Sequence, residues 1–266
     1  MGIPSLGLGT FRLKGDAAYQ AVSTGLRLGY RHIDTAQIYD NEADVGRAIT
    51  DAALPRDQLF VTTKIWTEHL APGKLVPSLQ QSLAKLGLDQ VDLTLIHWPS
   101  PQDAEPVAQY LAQLQDAKTQ GLTQAIGVSN FTLRHLKEAL AAVAPGLIAT
   151  NQVEMHPFLQ NRALLDFCRA QGIRVTAYMP LAYGKVMADD TLKAIGAKHQ
   201  VSAASVTLAW LLAQDIVVIP SSTREAHQLS NLKAKELVLD AGDMARIAGL
   251  DRNERLVAPD FGPAWD

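Results

Sequence analysis

The sequence predicts an α/β barrel in which eight parallel strands close on themselves and each is followed by helix. Three observations carry that prediction. Short β-rich runs alternate with helical patterns from one end of the chain to the other, eight times, and eight such units are the number that closes a barrel. The runs are mostly apolar, as in a parallel sheet covered by helices. The chain has 266 residues, 47% of them hydrophobic, and a single barrel of this kind takes about 250 residues. The alternative is a doubly wound open sheet, which often carries a glycine-rich dinucleotide fingerprint. Gly7-Leu-Gly9 has Arg12 where the third glycine belongs, and no phosphate-binding G-x-x-x-x-G-K-[ST] loop occurs. No linker or low-complexity run divides the chain, so residues 1–266 read as one domain.

The first strand is expected at Leu6–Gly9 and the second at Arg31–Asp34, followed by a helix from about Glu42. The third strand, Leu59–Lys64, precedes a helix whose buried face is marked by Leu75, Leu79, Leu83 and Leu86. Val91–Ile96 and Gln124–Val128 are the fourth and fifth strands. A helix with Leu133, Leu136 and Leu140 on one face follows, with Thr132 as its N-cap. Ala149–Gln152 is the sixth strand, and Asn161 and Gly172 bracket the next helix. Arg174–Tyr178 and Ile216–Pro220 complete the set. Between them Val206–Leu212 is apolar nearly all round, so that helix is expected to be deeply buried.

A net charge of −3 provides no basic field for nucleic acid or anionic lipid. No run approaches the length of a membrane span, and the N-terminus has no signal-peptide pattern. A cytoplasmic protein is expected, and nothing demands more than a monomer. The lone cysteine, Cys168, sits in an apolar helical stretch and reads as an inert buried thiol. The histidines show no metal-ligand spacing. His156 with Glu154 reads as a structural pair in preference to a metal pair.

Polar residues gather at the strand ends. Asp34, Tyr39, Lys64 and His97 each lie at or just past one, and in a parallel barrel that is the rim where active sites are built. A buried Lys and Asp pair with each other, and a cation beside a phenol stabilises the phenolate. On this reading Lys64 lowers the pKa of Tyr39 and makes it a proton donor near neutral pH. His97 is placed to hydrogen-bond a substrate oxygen. The plain structural alternative is an ion pair plugging the rim. Ser129-Asn130 and Asn151-Gln152 end neighbouring strands with groups that can hold a carboxamide, and Tyr178 offers a ring for stacking. Alternatively these residues only form local turns. Ile219-Pro-Ser-Ser-Thr-Arg224 precedes a helix, a good position for phosphate, or merely for a cap. Phe11, Trp66 and Trp98 follow strand ends and suggest the walls of a small pocket, although packing under loops would use them equally.

Taken together, Gly29-Tyr-Arg-His-Ile-Asp-Thr-Ala36, Tyr39 with Asn41-Glu42, Lys64, Leu95-Ile-His-Trp-Pro99, Gly127-Val-Ser-Asn-Phe131, Asn151-Gln-Val-Glu-Met-His-Pro157, Ala177-Tyr178 and Ile219-Pro220 resemble the aldo-keto reductases. The resemblance runs in order from Leu6 to about Asn231. The Ile219–Thr223 segment and the Asp260-Phe-Gly-Pro-Ala-Trp-Asp266 ending narrow it to the bacterial diketogluconate reductases of that family. It implies a (β/α)8 TIM barrel that binds NADP(H) without a Rossmann domain and reduces small aldehydes and ketones. Sugar diketo acids, methylglyoxal and β-keto esters are all consistent with it.

The resemblance makes Tyr39 the general acid, tuned by Lys64 and Asp34, with His97 orienting the carbonyl. Ser129, Asn130 and Gln152 would hold the nicotinamide carboxamide and Tyr178 would stack on its ring. Gly9, Thr10, Phe11, Leu181, Pro220, Ser221, Ser222, Thr223, Arg224 and Asn231 would complete the cofactor site, with Leu181 to Gly184 along the pyrophosphate. Phe11, Trp66 and Trp98 would line the substrate pocket. A metal plays no part.

Three positions depart from the family. Ser221 replaces a lysine that meets the 2′-phosphate, His227 an arginine, and Ser230 a glutamate, which leaves Arg224 as the expected 2′-phosphate partner. The usual N-terminal hairpin is reduced or absent. The short stretch after the last helix is expected to leave the mouth open to water. A non-catalytic cofactor sensor is the competing reading, and the intact set of four rim residues speaks against it.

Overall fold

The computed structural model describes residues 2–266. Eight parallel strands follow one another in chain order: β1 (Leu8–Gly9), β2 (His32–Asp34), β3 (Phe60–Ile65), β4 (Val91–Ile96), β5 (Thr123–Ser129), β6 (Ile148–Glu154), β7 (Arg174–Tyr178) and β8 (Val217–Val218). The ring closes where Leu6 forms a parallel bridge with Val218. There the Gly7 N–H donates to Val218 O at 2.8 Å and the Val218 N–H to Ser5 O at 2.9 Å. The fold is therefore the predicted (β/α)8 barrel.

The first and last strands are shorter than the sequence predicts. Their pairing continues beyond the regular ladder, through the Leu6 bridge and through Gly9 N–H to Pro220 O at 3.1 Å. Pro220 has no N–H with which to extend β8. Gly9 permits the close approach of the two ends, since a Cβ there would lie 2.7 Å from Ile219 O. Residues 2–5 form no hairpin and lead directly into the barrel. At the other extreme, β6 runs two residues past its expected end, to Glu154.

The helices are α1 (Asp16–Leu28), α2 (Glu42–Asp51), α3 (Leu75–Leu86), α4 (Val107–Thr119), α5 (Leu133–Ala142), α6 (Arg162–Ala170), α7 (Asp190–His199), α8 (Ala203–Leu212), α9 (Glu225–Lys233) and α10 (Ala241–Ala248). Leu75, Leu79, Leu83 and Leu86 are all buried on α3, and α8 is buried from Ala203 to Leu211. Thr132 caps α5, its Oγ1 accepting from the His135 N–H. Asn161 precedes α6 but does not cap it. It adopts a left-handed conformation, and its side chain donates to Glu154 O at 2.7 Å. Cys168 is buried on α6, and burial pushes its thiol up to about 12. No helix among the described residues is long and apolar enough to cross a membrane.

Strand register aligns the ends that carry polar residues. Asp34 pairs with Gly9 and Thr62, Lys64 with Leu95, Ser129 with Gln152, and Glu154 with Tyr178. All the strands are parallel, so these residues share one rim.

Candidate active site

At that rim β2 and β3 bring Asp34 and Lys64 together, both almost fully buried. Lys64 Nζ donates to Asp34 Oδ1 at 2.5 Å, to Thr35 O at 2.9 Å and to Tyr39 Oη at 3.3 Å. The second carboxylate oxygen, Asp34 Oδ2, accepts from Gln152 Nε2 at 2.8 Å across the barrel. A buried ion pair of this kind is sustained only when the remaining lone pairs and protons also find partners, and here they do. Burial alone would lower the Lys64 ammonium, but the Asp34 charge and Tyr39 hold it above its usual range.

Tyr39 lies in the loop after β2. Asn41 braces that loop, accepting from Thr35 Oγ1 at 2.6 Å and donating to Thr10 O at 3.0 Å and Leu13 O at 2.8 Å. Its phenol does not behave as the sequence reading expects. Burial raises its pKa above 10, and the neighbouring Lys64 does not offset that rise. Tyr39 is therefore held protonated, the state a proton donor needs. His97 follows β4, its ring edge-on to Tyr39 with centroids 5.6 Å apart. Burial, aided by the Lys64 charge, keeps its pKa well below 6.5, so the imidazole is neutral at physiological pH. A neutral imidazole keeps one N–H to donate.

The next three strand ends form one hydrogen-bonded group. Tyr178 Oη donates to Asn130 Oδ1 at 2.8 Å, and Asn130 Nδ2 donates to His97 O at 2.9 Å and Ser129 Oγ at 3.1 Å. Asn130 takes a left-handed conformation with φ 61°, which Asn tolerates better than most residues. Ser129 Oγ in turn donates to Gln152 O at 2.8 Å.

One cavity of about 810 Å³ joins these groups to the loops after β7 and β8. Of the expected site residues, Gly9, Phe11, Asp34, Tyr39, Trp66, His97, Trp98, Asn130, Gln152, Tyr178, Leu181, Pro220, Ser221, Ser222, Thr223 and Asn231 line it. Thr10, Lys64 and Ser129 stand behind that wall. Thr10 Oγ1 donates to Asp34 O at 3.0 Å, so it supports the site from the rear. Arg224 is exposed and lies outside the lining, where His227 and Ser230 stand instead. Arg224, expected at the 2′-phosphate, stands at the N-cap of α9 with no side-chain capping bond.

The sequence reading also missed part of the aromatic wall. Trp66 and Trp98 are joined by Phe261, at centroid distances of 5.7 and 5.6 Å, and Trp98 meets Trp265 at 6.1 Å. The stretch after α10 is therefore long enough to fold back over the mouth, contrary to expectation, and Val257 lines the cavity directly. Two further lining residues meet each other, Arg12 lying 4.6 Å from the centroid of the Tyr183 ring. Aromatic residues of Asp260–Asp266 were visible in the sequence, but no local pattern tells where a tail docks.

The cavity suits a nicotinamide dinucleotide. Gln152 Nε2 is engaged by Asp34 while its Oε1 makes no hydrogen bond to protein, and Tyr178 offers a ring beside it. At the other end the hydroxyls of Ser221, Ser222 and Thr223 adjoin the start of α9, whose free N–H groups and dipole favour phosphate.

Comparison with known proteins agrees with this geometry. Residues 5–252 match the model of the Aldo/keto reductase family. The methylglyoxal reductase DkgB of Salmonella typhimurium is 54% identical over 267 residues, covering 100% of both chains. A crystal structure of a protein provisionally assigned as 2,5-diketo-D-gluconic acid reductase B superposes with a TM-score of 0.95 at 41% identity, over 99% of this chain and 94% of that one. A Gox0644 variant solved in complex with NADPH gives a TM-score of 0.90 at 34% identity, over 96% and 92%.

Proposed function

The chain belongs to the aldo/keto reductase family and is an NADP-dependent oxidoreductase, and from that premise we propose that it reduces small dicarbonyls and sugar keto acids with Tyr39 as the general acid. The observation that carries this reading is the run of contacts from Asp34 through Lys64 to Tyr39, set beside a neutral His97 in the same cavity. NADPH supplies the hydride when bound. Asn130, Gln152 and Tyr178 hold the nicotinamide end, and Ser221, Ser222, Thr223, His227 and Asn231 hold the adenosine end.

Tyr39 and His97 donate hydrogen bonds to the substrate carbonyl oxygen and polarise it. As negative charge develops on that oxygen, the Tyr39 phenolic proton passes to it. Lys64, 3.3 Å from the phenolic oxygen, stabilises the phenolate left behind. Asp34 keeps Lys64 protonated and in place. Proton donation of this kind contributes about 10²- to 10⁴-fold. The aromatic mouth restricts the site to compact substrates, in keeping with the methylglyoxal reductase and diketogluconate reductase names of its relatives. We further propose that the enzyme acts as a monomer in the cytoplasm, with residues 1–266 as one domain.

The test is a panel of methylglyoxal, 2,5-diketo-D-gluconate, a β-keto ester and a steroid ketone, with kcat/KM measured for NADPH and NADH. Highest kcat/KM for the steroid, or no NADPH oxidation with any member, would overturn the proposal.

A further inference from the structure

Glu154 has no part in the chemistry above, yet it is one of the most completely buried charged residues of the molecule. It lies on β6 two residues beyond Gln152, so its side chain falls on the same face of that strand. Its carboxylate is used up by three contacts. Oε1 accepts from His156 Nε2 at 3.0 Å and from the Leu256 N–H at 2.8 Å, and Oε2 accepts from the Val257 N–H at 2.8 Å. Two of the three donors are backbone groups of the tail that follows α10.

The loop from Met155 to Asn161 repeats the pattern. Phe158 O accepts from the Arg252 and Glu254 N–H groups at 3.3 and 2.9 Å, with the Arg252 guanidinium 3.9 Å from the Phe158 ring centroid. Arg255 reaches back to Asn161 Oδ1 at 3.3 Å and lies 3.5 Å from the Trp265 ring centroid. The same tail places Val257 in the cavity lining and Phe261 against Trp66 and Trp98.

Residues 249–266 contain no helix or strand, so the stretch is held by individual contacts of this kind, the Leu133 N–H to Asp266 Oδ2 at 2.7 Å and the Lys185–Glu254 pair among them, and the Glu154 carboxylate is the one that grips the backbone beside the cavity-lining Val257. We propose that Glu154 is a positioning residue for the substrate: by gripping the Leu256 and Val257 N–H groups it fixes the tail that forms the outer wall of the carbonyl end. The inference rests on the reductase reading above. A carboxylate suits this task because it presents two acceptor oxygens and no donor, and charge-assisted bonds to backbone N–H groups are the stronger kind. Glutamine in its place would turn an NH₂ group toward one of the three donors. The strand end thus serves both parts of the site, with Gln152 on the catalytic carboxylate and Glu154 on the wall.

Three variants test this: Glu154→Gln, Leu256→Pro and Phe261→Ala/Trp265→Ala. Leu256→Pro deletes one gripped N–H from the tail's side while leaving β6 itself unaltered, which covers the case in which Glu154→Gln fails to fold. Glu154→Gln and Leu256→Pro are each expected to raise KM for methylglyoxal roughly tenfold while kcat and the NADPH Kd change less than about threefold, the signature of lost substrate binding alone. Both should also become open to trypsin at Arg252 and Arg255 with the rest of the chain intact. In the Phe261→Ala/Trp265→Ala background, adding Glu154→Gln should change KM little further.

Equal loss of NADPH and substrate affinity, an unchanged KM, or full additivity in the aromatic-less background would overturn the assignment. The trypsin result needs no turnover, so it tests the grip on the tail even if the wild-type enzyme fails to reduce methylglyoxal and the underlying reading falls.

Discussion

Replacing Lys64 by Met separates what the buried pair does for the fold from what it does for the chemistry. Lys64 and Asp34 are 0% and 1% exposed and 2.5 Å apart. Without the ammonium, Asp34 keeps only the Gln152 amide as a side-chain donor, at 2.8 Å. An uncompensated buried charge costs about 3–5 kcal/mol. A domain of this size loses about 2–4 °C per kcal/mol, so the melting temperature should fall by roughly 6–20 °C. The folded pKa of Lys64 lies above its usual value. Its contribution is therefore fully present below about pH 10.5 and fades only as pH rises through the raised value. The stability gap between wild type and Lys64→Met should accordingly be constant from pH 7 to about pH 10. Adding Asp34→Asn removes the second charge, and paired charges replaced together are often close to neutral for stability. The double variant should recover most of the melting temperature and none of the turnover, because the Lys64–Tyr39 contact stays broken. Thermal unfolding followed by circular dichroism, with steady-state NADPH oxidation on the same preparations, decides the matter. Recovery of kcat together with melting temperature in the double variant would refute the reasoning, as would a Lys64→Met enzyme that is both stable and active.

Tyr39→Phe should lower kcat by about 10²- to 10⁴-fold and leave the NADPH Kd nearly unchanged; retention of more than a tenth of wild-type kcat would contradict the general-acid role. His32 is buried beside Thr62 Oγ1 at 3.1 Å, and burial brings its pKa down to about 4. The unfolded chain takes up a proton near pH 6.5 while the folded one stays neutral, so stability should fall as pH drops from about 6.5 to 4. The worth of that step is ~3 kcal/mol, from about 2.5 pKa steps at 1.36 kcal/mol each. Denaturant melts of His32→Gln should show a flatter dependence over that window. His227 lines the adenosine end while Arg224 does not, so His227→Ala should weaken NADPH more than NADH and Arg224→Ala should affect both little. Fluorescence titration of both cofactors checks this, and a selective NADPH loss in Arg224→Ala would return the 2′-phosphate to that residue.

The rim chemistry was legible because a parallel barrel turns a one-dimensional feature into a spatial one. A polar residue ending an apolar run lands on the same rim as every other such residue, wherever it lies in the chain. Asp34, Lys64, Gln152 and Tyr178 meet for that reason, although Asp34 and Gln152 are 118 positions apart. Helix faces were legible for a similar reason, since the spacing from Leu75 to Leu86 carries its own period. The ends of β1 and β8 were harder to read, because their pairing runs through the isolated Leu6–Val218 bridge and the Gly9 N–H to Pro220 O bond, outside the regular ladder. The direction of the Tyr39 shift was also out of reach. It depends on a balance between burial and Lys64, and spacing reveals the neighbour but not the depth.

The tail was illegible for a more basic reason. The Leu256 N–H meets Glu154 across 102 positions through a contact that repeats with no period, and the residues around it have neither strand alternation nor helical spacing. Glu154 and His156 were visible as a pair in the sequence, where they signalled only mutual satisfaction. What the pair leaves over, two acceptor sites for backbone N–H groups, has meaning only once another segment is seen to fill them. The aromatic mouth divides in the same way. Trp66 and Trp98 follow strands and could be placed in advance, whereas Phe261 and Trp265 belong to the tail whose Leu256 and Val257 N–H groups bond the Glu154 carboxylate on β6. One part of the substrate wall is thus built by the barrel and the other is fastened to it, and changes to β6 beyond Gln152 should alter substrate range before they alter cofactor use.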